Sequence, residues 1–199
     1  MSEEQKRWQG YYRAVEGRPP RPTLLRALET FARESVAPGQ AIDLGAGTGR
    51  DSLELLRRGW QVLAIDGQAD ALATLESKAP AGSRLETRAC RFQDLDALPP
   101  CRLINASFSL PFCPPAAFPQ LWRLIGDSLS PGGRFAGQLL GPGDDWAASG
   151  GVTSLDRQAL DRLLSGWSVE LCEEEESDST TAKGVRKHWH LYHLVLRKP

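Results

Sequence analysis

Asp43, Gly45, Gly47 and Gly49, at alternate positions, are the residues of this 199-residue chain best suited to hold a ligand. Glycine lets the backbone enter positive φ and lets a bound group approach where a Cβ would clash. Free N–H groups at the start of the helix that follows favour a negative charge. A small, partly anionic molecule is therefore expected on this loop. The dinucleotide fingerprint G-x-G-x-x-G needs glycine at position 50, where the chain has Arg50, and the Gly-Lys-Ser/Thr ending of a Walker loop is absent. A tight strand-to-helix turn with no ligand would also use these glycines, so a second landmark has to decide. Asp66 ends the apolar run Gln61-Val62-Leu63-Ala64-Ile65, 17 residues beyond Gly49. That is near the ~20-residue interval at which nucleotide-binding βαβ units place an acid on ribose hydroxyls.

His188, His190 and His193 are the second group able to do chemistry. Imidazole, with an ordinary pKa of ~6.5, takes a proton near neutral pH. On a strand, His188 and His190 share one face and His193 takes the other. Two imidazoles without a third ligand do not make a metal site, and no metal is expected. Cys90, Cys101, Cys113 and Cys172 form no Cys-x-x-Cys pair and read as ordinary buried thiols.

The elements that must position these groups alternate along the chain. A helix is predicted over 3–15, carrying Trp8, Tyr11 and Tyr12, and is closed by Gly17-Arg18-Pro19-Pro20-Arg21-Pro22. Thr23 is read as the cap of a helix running from Leu24 to about Ser35. The strand before Gly45 leads into a helix closed by Gly59. The strand ending at Asp66 leads into a helix over Ala69–Lys78, and Arg84–Cys90 reads as a third strand. Leu103 to Phe112 is the fourth strand and its exit. A helix from Pro115 to about Ser128 follows, and Pro131-Gly132-Gly133 turns into the fifth strand. A helix ending at Leu164 leads to a strand over Trp167–Glu173, with Glu173–Glu176 as its solvated end, a polar loop from Asp178 to Arg186, and a last strand over Lys187–Leu196.

Composition bounds the function. With 41% hydrophobic and 25% charged residues the chain supports one core. Twenty-four Lys and Arg against 25 Asp and Glu leave a net charge of −1, with no general basic field, and nucleic acid is not an expected partner. Met1 to Arg7 lack a signal-peptide core, and no run approaches the ~18 apolar residues that span a membrane. A soluble, cytoplasmic protein is expected.

Asp43-x-Gly45-x-Gly47-x-Gly49 with Asp66 resembles the first motifs of the class I S-adenosylmethionine (SAM)-dependent methyltransferases, and the resemblance spans roughly residues 38–197. It implies an α/β fold: a doubly wound, mostly parallel seven-stranded sheet with a last antiparallel strand and N-terminal helices. Residues 1–199 are expected to form one domain, with 1–36 as N-terminal helices or lid and 38–197 as the sheet core. The implied cofactor is SAM, with S-adenosylhomocysteine (SAH) as product. Asp43, Gly45 and Gly47 would hold its amino-acid end and Asp66 its ribose hydroxyls, with Ala46, Arg50, Gly67 and Gln68 also expected to border the cofactor. Asp94 would meet its adenine, with Phe92 and Gln93 beside it also at the cofactor, and Asn105, Ala106 and Ser107 would line the crevice floor through their backbone. The N-terminal helix either packs by its aromatics or folds over the cofactor, with Tyr12 and Arg13 at the methionine end.

Where relatives that methylate adenine or glutamine carry Asn/Asp-Pro-Pro-Tyr/Phe, this chain has Asn105-Ala106-Ser107-Phe108, which argues against nucleic-acid base methylation. The closing Lys187-His188-Trp189-His190 and short N-terminal helices look most like small bacterial tellurite-resistance-type enzymes, which implies a small-molecule acceptor and a monomer or homodimer. An acceptor pocket is expected from Tyr12, Phe108, Trp146 and the start of the last strand, with His188 or His190 as base. The competing reading is a SAM- or SAH-binding sensor without turnover.

Overall fold

The computed structural model describes residues 3–199; Met1 and Ser2, the start of the expected lid segment, lie outside them. Strands β1 (Gln40–Leu44), β2 (Gln61–Asp66), β3 (Leu85–Ala89), β4 (Cys101–Ala106), β5 (Leu129–Leu140), β6 (Ser168–Thr180) and β7 (Arg186–Arg197) form one sheet in the order β3-β2-β1-β4-β5-β7-β6. β7 runs antiparallel to both its neighbours. The pairs among β1 to β5 are parallel.

The central strands are largely apolar because helices bury both faces, with Asp43, Asn105, Arg134 and Gln138 as buried polar exceptions. On one face α2 (Pro22–Arg33), α3 (Ser52–Arg57) and α4 (Ala69–Lys78) set Leu24, Leu28, Leu55 and Leu72 against Val62 and Leu103. On the other, α5 (Phe118–Ser128) and α7 (Arg157–Leu164) set Trp122, Ile125 and Leu160 against Ile42, Leu63 and Phe135. The chain changes faces between β1 and β4. Successive connections there diverge and leave a crevice at the carboxyl ends of the strands.

Two expectations change. Helix α2 begins at Pro22, whose fixed φ suits the first helical position, so Thr23 lies inside the helix. Its buried hydroxyl accepts from Gln138 Nε2 at 2.9 Å instead of capping. Strand β6 does not end near Glu173 but pairs with β7 as far as Thr180 opposite Arg186, leaving 181–185 as a hairpin turn. The acidic run stays exposed to solvent but is not a strand end, and imidazoles of β7 face it: Glu174 meets His190 at 2.8 Å, Glu175 meets His193 at 2.9 Å and Glu176 meets His188 at 3.2 Å.

Helix α1 (Glu3–Val15) and the β6–β7 turn meet above the crevice. A Cβ on Gly10 of α1 would lie 3.3 Å from Lys183 Nζ of the turn, so this glycine lets the two elements touch. No described helix is long and apolar enough to cross a membrane.

Candidate active site

At the end of β1 the backbone turns through Gly45 at φ +77° and Gly47 at φ +54°. A Cβ on Gly45 would run into the Ser109 side chain, and one on Gly47 would lie 2.8 Å from the Tyr12 ring. Beneath this cradle, Asp43 is buried and accepts from Ser52 Oγ at 2.6 Å and from Asn105 Nδ2 at 2.8 Å. The same amide donates to Asp51 at 3.0 Å. Burial, and then the charge of Asp51, pushes the Asp43 carboxyl up to about 7.

The loop also holds the segment between α1 and α2. Asp51 accepts the Arg21 backbone N–H at 2.9 Å, and Arg50 Nε donates to the Pro19 carbonyl at 2.6 Å. Arg50 keeps a second donor in reserve: its Nη1 is buried and has no partner among the described residues. A buried donor without a partner costs free energy until something accepts from it. Burial, and then the charge of Arg21, lowers the pKa of this guanidinium.

Asp66 closes the other side of the cradle. Its carboxylate accepts the backbone N–H groups of Gly47 and Gln68, both at 2.8 Å. The Tyr12 hydroxyl donates to its two oxygens at the longer distances of 3.2 and 3.4 Å. Burial raises the Asp66 pKa against these bonds. Burial and the Asp66 charge keep the Tyr12 phenol protonated.

A cavity of about 910 Å³ opens above these groups. Tyr12, Asp43, Gly45, Ala46, Gly47 and Arg50 line it, with Asp66, Gly67 and Gln68 at the exit of β2. Phe92 and Gln93 border it after β3, and Ser107 after β4. The remaining expected residues stand elsewhere. Arg13 is exposed in the last turn of α1, and Asp94 is exposed beside the cavity-lining Phe92 and Gln93. Asn105 and Ala106 are fully buried rather than on the crevice floor, and the Asn105 amide is spent on Asp43 and Asp51.

The histidines are a correction by strand parity. Trp189 and Leu191 of β7 line the cavity, so His188 and His190 between and before them project from the opposite face. His190 Nδ1 accepts the Gly143 N–H at 3.2 Å, which leaves the proton on Nε2, where it faces Glu174. His188 sits between Asp178 and Glu176, whose hydrogen bonds raise its pKa and favour the imidazolium. Neither ring lines the cavity, and the expectation of a base at His188 or His190 is withdrawn.

Beyond the cradle the wall is aromatic. Tyr12, Phe108 and Trp146, expected in one pocket, line this cavity, and so do Trp8, Tyr11, Phe112 and Trp189. An arc of rings runs from Trp8 to Phe112 (centroids 5.0 Å apart), Trp146 (5.6 Å), Trp189 (5.1 Å) and Phe108 (6.3 Å). Phe108 holds φ +53°, a conformation that costs a bulky residue about 1–3 kcal/mol. Its N–H donates to Gln138 Oε1 at 3.0 Å, which fixes it there. Behind the arc the buried Lys187 ammonium lies 3.8 Å from the Trp189 ring centre and 4.5 Å from that of Trp146, paired to buried Asp144 at 2.5 Å. Trp8, Tyr11 and Tyr12 were legible as a cluster on one helix. Arg18, Arg21 and Phe112 carried no spacing signal, and only the meeting of loops brings them to the cavity.

Residues 41–133 match the family model described as a methyltransferase domain. No curated protein is similar to the chain in sequence. Among solved structures, TehB from Haemophilus influenzae superposes with a TM-score of 0.71 at 18% identity, over 85% of this chain and 61% of that one. Magnesium protoporphyrin IX methyltransferase (ChlM) from Synechocystis PCC 6803, with bound SAH, gives 0.69 at 12% identity over 98% and 95% of the two chains. The N-methyltransferase NodS from Bradyrhizobium japonicum WM9, in complex with SAH, gives 0.67 at 14% identity over 96% and 98%. At these identities the likeness is one of fold, and the chain spans only 61% of the length of TehB. Residues 41–133, which hold the glycine loop and Asp66, thus match a methyltransferase domain, and the whole sheet has the fold shared by these SAM-dependent methyltransferases.

Proposed function

We propose that this protein transfers a methyl group from SAM to a small-molecule nucleophile. The observation that carries the reading is the two-part cavity: a glycine cradle with an acid and one buried, unpartnered guanidinium nitrogen, Arg50 Nη1, at one end, and a roofed aromatic compartment at the other. Its 910 Å³ lies near the top of the roughly 300–1,000 Å³ range of small-molecule sites, enough for a cofactor and a small acceptor side by side.

The residues present fit the cofactor. Gly45 and Gly47 hold the positive φ that turns the loop under the cavity and let Ser109 and Tyr12 close against it, and Arg50 Nη1 offers an unmet donor for the cofactor's carboxylate. Asp66 has lone pairs that only the long Tyr12 contacts now address, suited to ribose hydroxyls. Phe92 and Gln93 would border the adenine. When bound, the cofactor supplies an electrophilic methyl whose bonding pair stays on sulfur as the acceptor's lone pair takes the carbon. The chain has then to hold both partners in line and exclude water. Tyr12 covers the cradle, and α1 with the hairpin turn roofs the compartment.

Incubation of the protein with methyl-labelled SAM and a fractionated small-molecule extract should yield a labelled product of low mass. Binding of SAH without label in any fraction would favour the silent sensor. Tight NAD binding without SAH binding would overturn the cofactor assignment.

A further inference from the structure

Beyond the cradle the cavity carries a cluster of cations. Arg7 reaches it from α1, Arg18 and Arg21 from the segment between α1 and α2, and Lys183 from the β6–β7 turn. None of these four makes an ion pair with a carboxylate among the described residues. The Arg21 guanidinium instead lies 4.1 Å from the Phe108 ring centre, and Arg7 lies 5.2 Å from that of Trp8. This local field stands against a net charge of −1 for the whole chain. The carboxylate that faces them from the hairpin, Glu175, is bound by His193 Nε2 at 2.9 Å, a hydrogen bond that lowers its pKa and keeps it occupied.

We propose that this compartment takes a planar aromatic acid as methyl acceptor, its ring against the Phe108–Trp189–Trp146 arc and its negative group facing Arg21, Arg18 and Lys183. The proposal rests on the methyl-transfer reading above. Three facts support it together. Flat faces and unpaired cations border one space, and a ligand that is both apolar and anionic answers both. A neutral ligand would leave the four cations facing Glu175 alone, which His193 already engages, and a cationic one would add to the repulsion. An acceptor that arrives ionised has no proton to lose, which matches a cavity from which His188 and His190 are turned away and where His193 is engaged with Glu175.

Calorimetry on the full chain saturated with SAH tests this with three probes of one shape: 2-naphthoate, 2-naphthamide and 2-naphthylmethylammonium. Naphthoate should bind about tenfold or more tighter than the other two, as one charge-assisted hydrogen bond predicts, and should weaken as salt rises. Arg21→Gln and Lys183→Gln should each reduce that preference, while a rise in Tm on adding SAH shows that each variant has folded. Equal binding of the three probes, tightest binding of the ammonium, or no binding of any probe to the SAH complex would overturn the anion proposal and leave methyl transfer standing. Failure of SAH itself to bind would overturn the reading beneath it.

Discussion

Asp43 shows how one buried carboxylate ties stability to pH. In an unfolded chain it titrates near ~3.9, whereas burial beside Asp51 carries it up to about 7 in the fold. Between those values the folded protein keeps a proton that the unfolded chain has lost, and stability must fall as pH rises through the window. Asp43→Asn should remove this term, because the Ser52 hydroxyl can turn to accept from the new amide. The expected result is a variant whose Tm gains on the wild type as pH rises from about 4.5 to 7 and holds that gain above. Parallel Tm curves would refute the assignment. Asp66 acts on the ligand. Asp66→Asn keeps one acceptor oxygen but loses the charge, and SAH affinity should fall by about 1.5–3 kcal/mol in calorimetry.

At the scale of elements, Lys187 and Asp144 join β7 to the loop after β5. Asp144 also accepts the N–H groups of Trp146 at 2.9 Å and His190 at 3.2 Å, so it caps α6 (Asp145–Ser149) and meets β7 at once. Breaking such a pair by removing one member strands the other charge in the interior. Lys187→Met should cost about 3–5 kcal/mol in chemical denaturation. The Lys187→Met/Asp144→Asn double variant should recover part of that loss, because the stranded charge is gone while the amide oxygen still accepts one of the two N–H groups that Asp144 receives on separate oxygens. The tryptophan emission of the single variant should also change, since Trp146 and Trp189 lose the ammonium that holds them.

Across the whole molecule, the crevice is roofed by parts of the chain about 170 residues apart, α1 and the turn at 181–185. They touch lightly through Gly10 and Lys183, whereas the sheet beneath them is paired throughout. Such lightly held segments open most easily. SAH binding should therefore slow amide hydrogen exchange in α1 and in 181–185 together, with little change in β1, β4 and β5. Protection of only one of the two would mean that they do not close on the ligand as a unit.

Local chemistry made much of this legible in the sequence. The strand, glycine turn and helix around Gly45, the acid at the end of β2 and the alternation of elements follow from backbone freedom and periodicity, which act over a few residues. Tertiary structure decided the rest. The parity of β7 alone turned His188 and His190 away and brought Trp189 to the cavity, since a shift of one residue exchanges the faces of a strand. The Glu–His ladder extended β6 through an acidic run that reads as a strand end, because cross-strand partners on β7 offset the repulsion among neighbouring carboxylates that stay exposed to water. The arc of rings and the cluster of Arg18, Arg21 and Arg50 come from separate loops that converge where the strand order reverses, and a meeting of distant segments leaves no mark at any one position of the sequence.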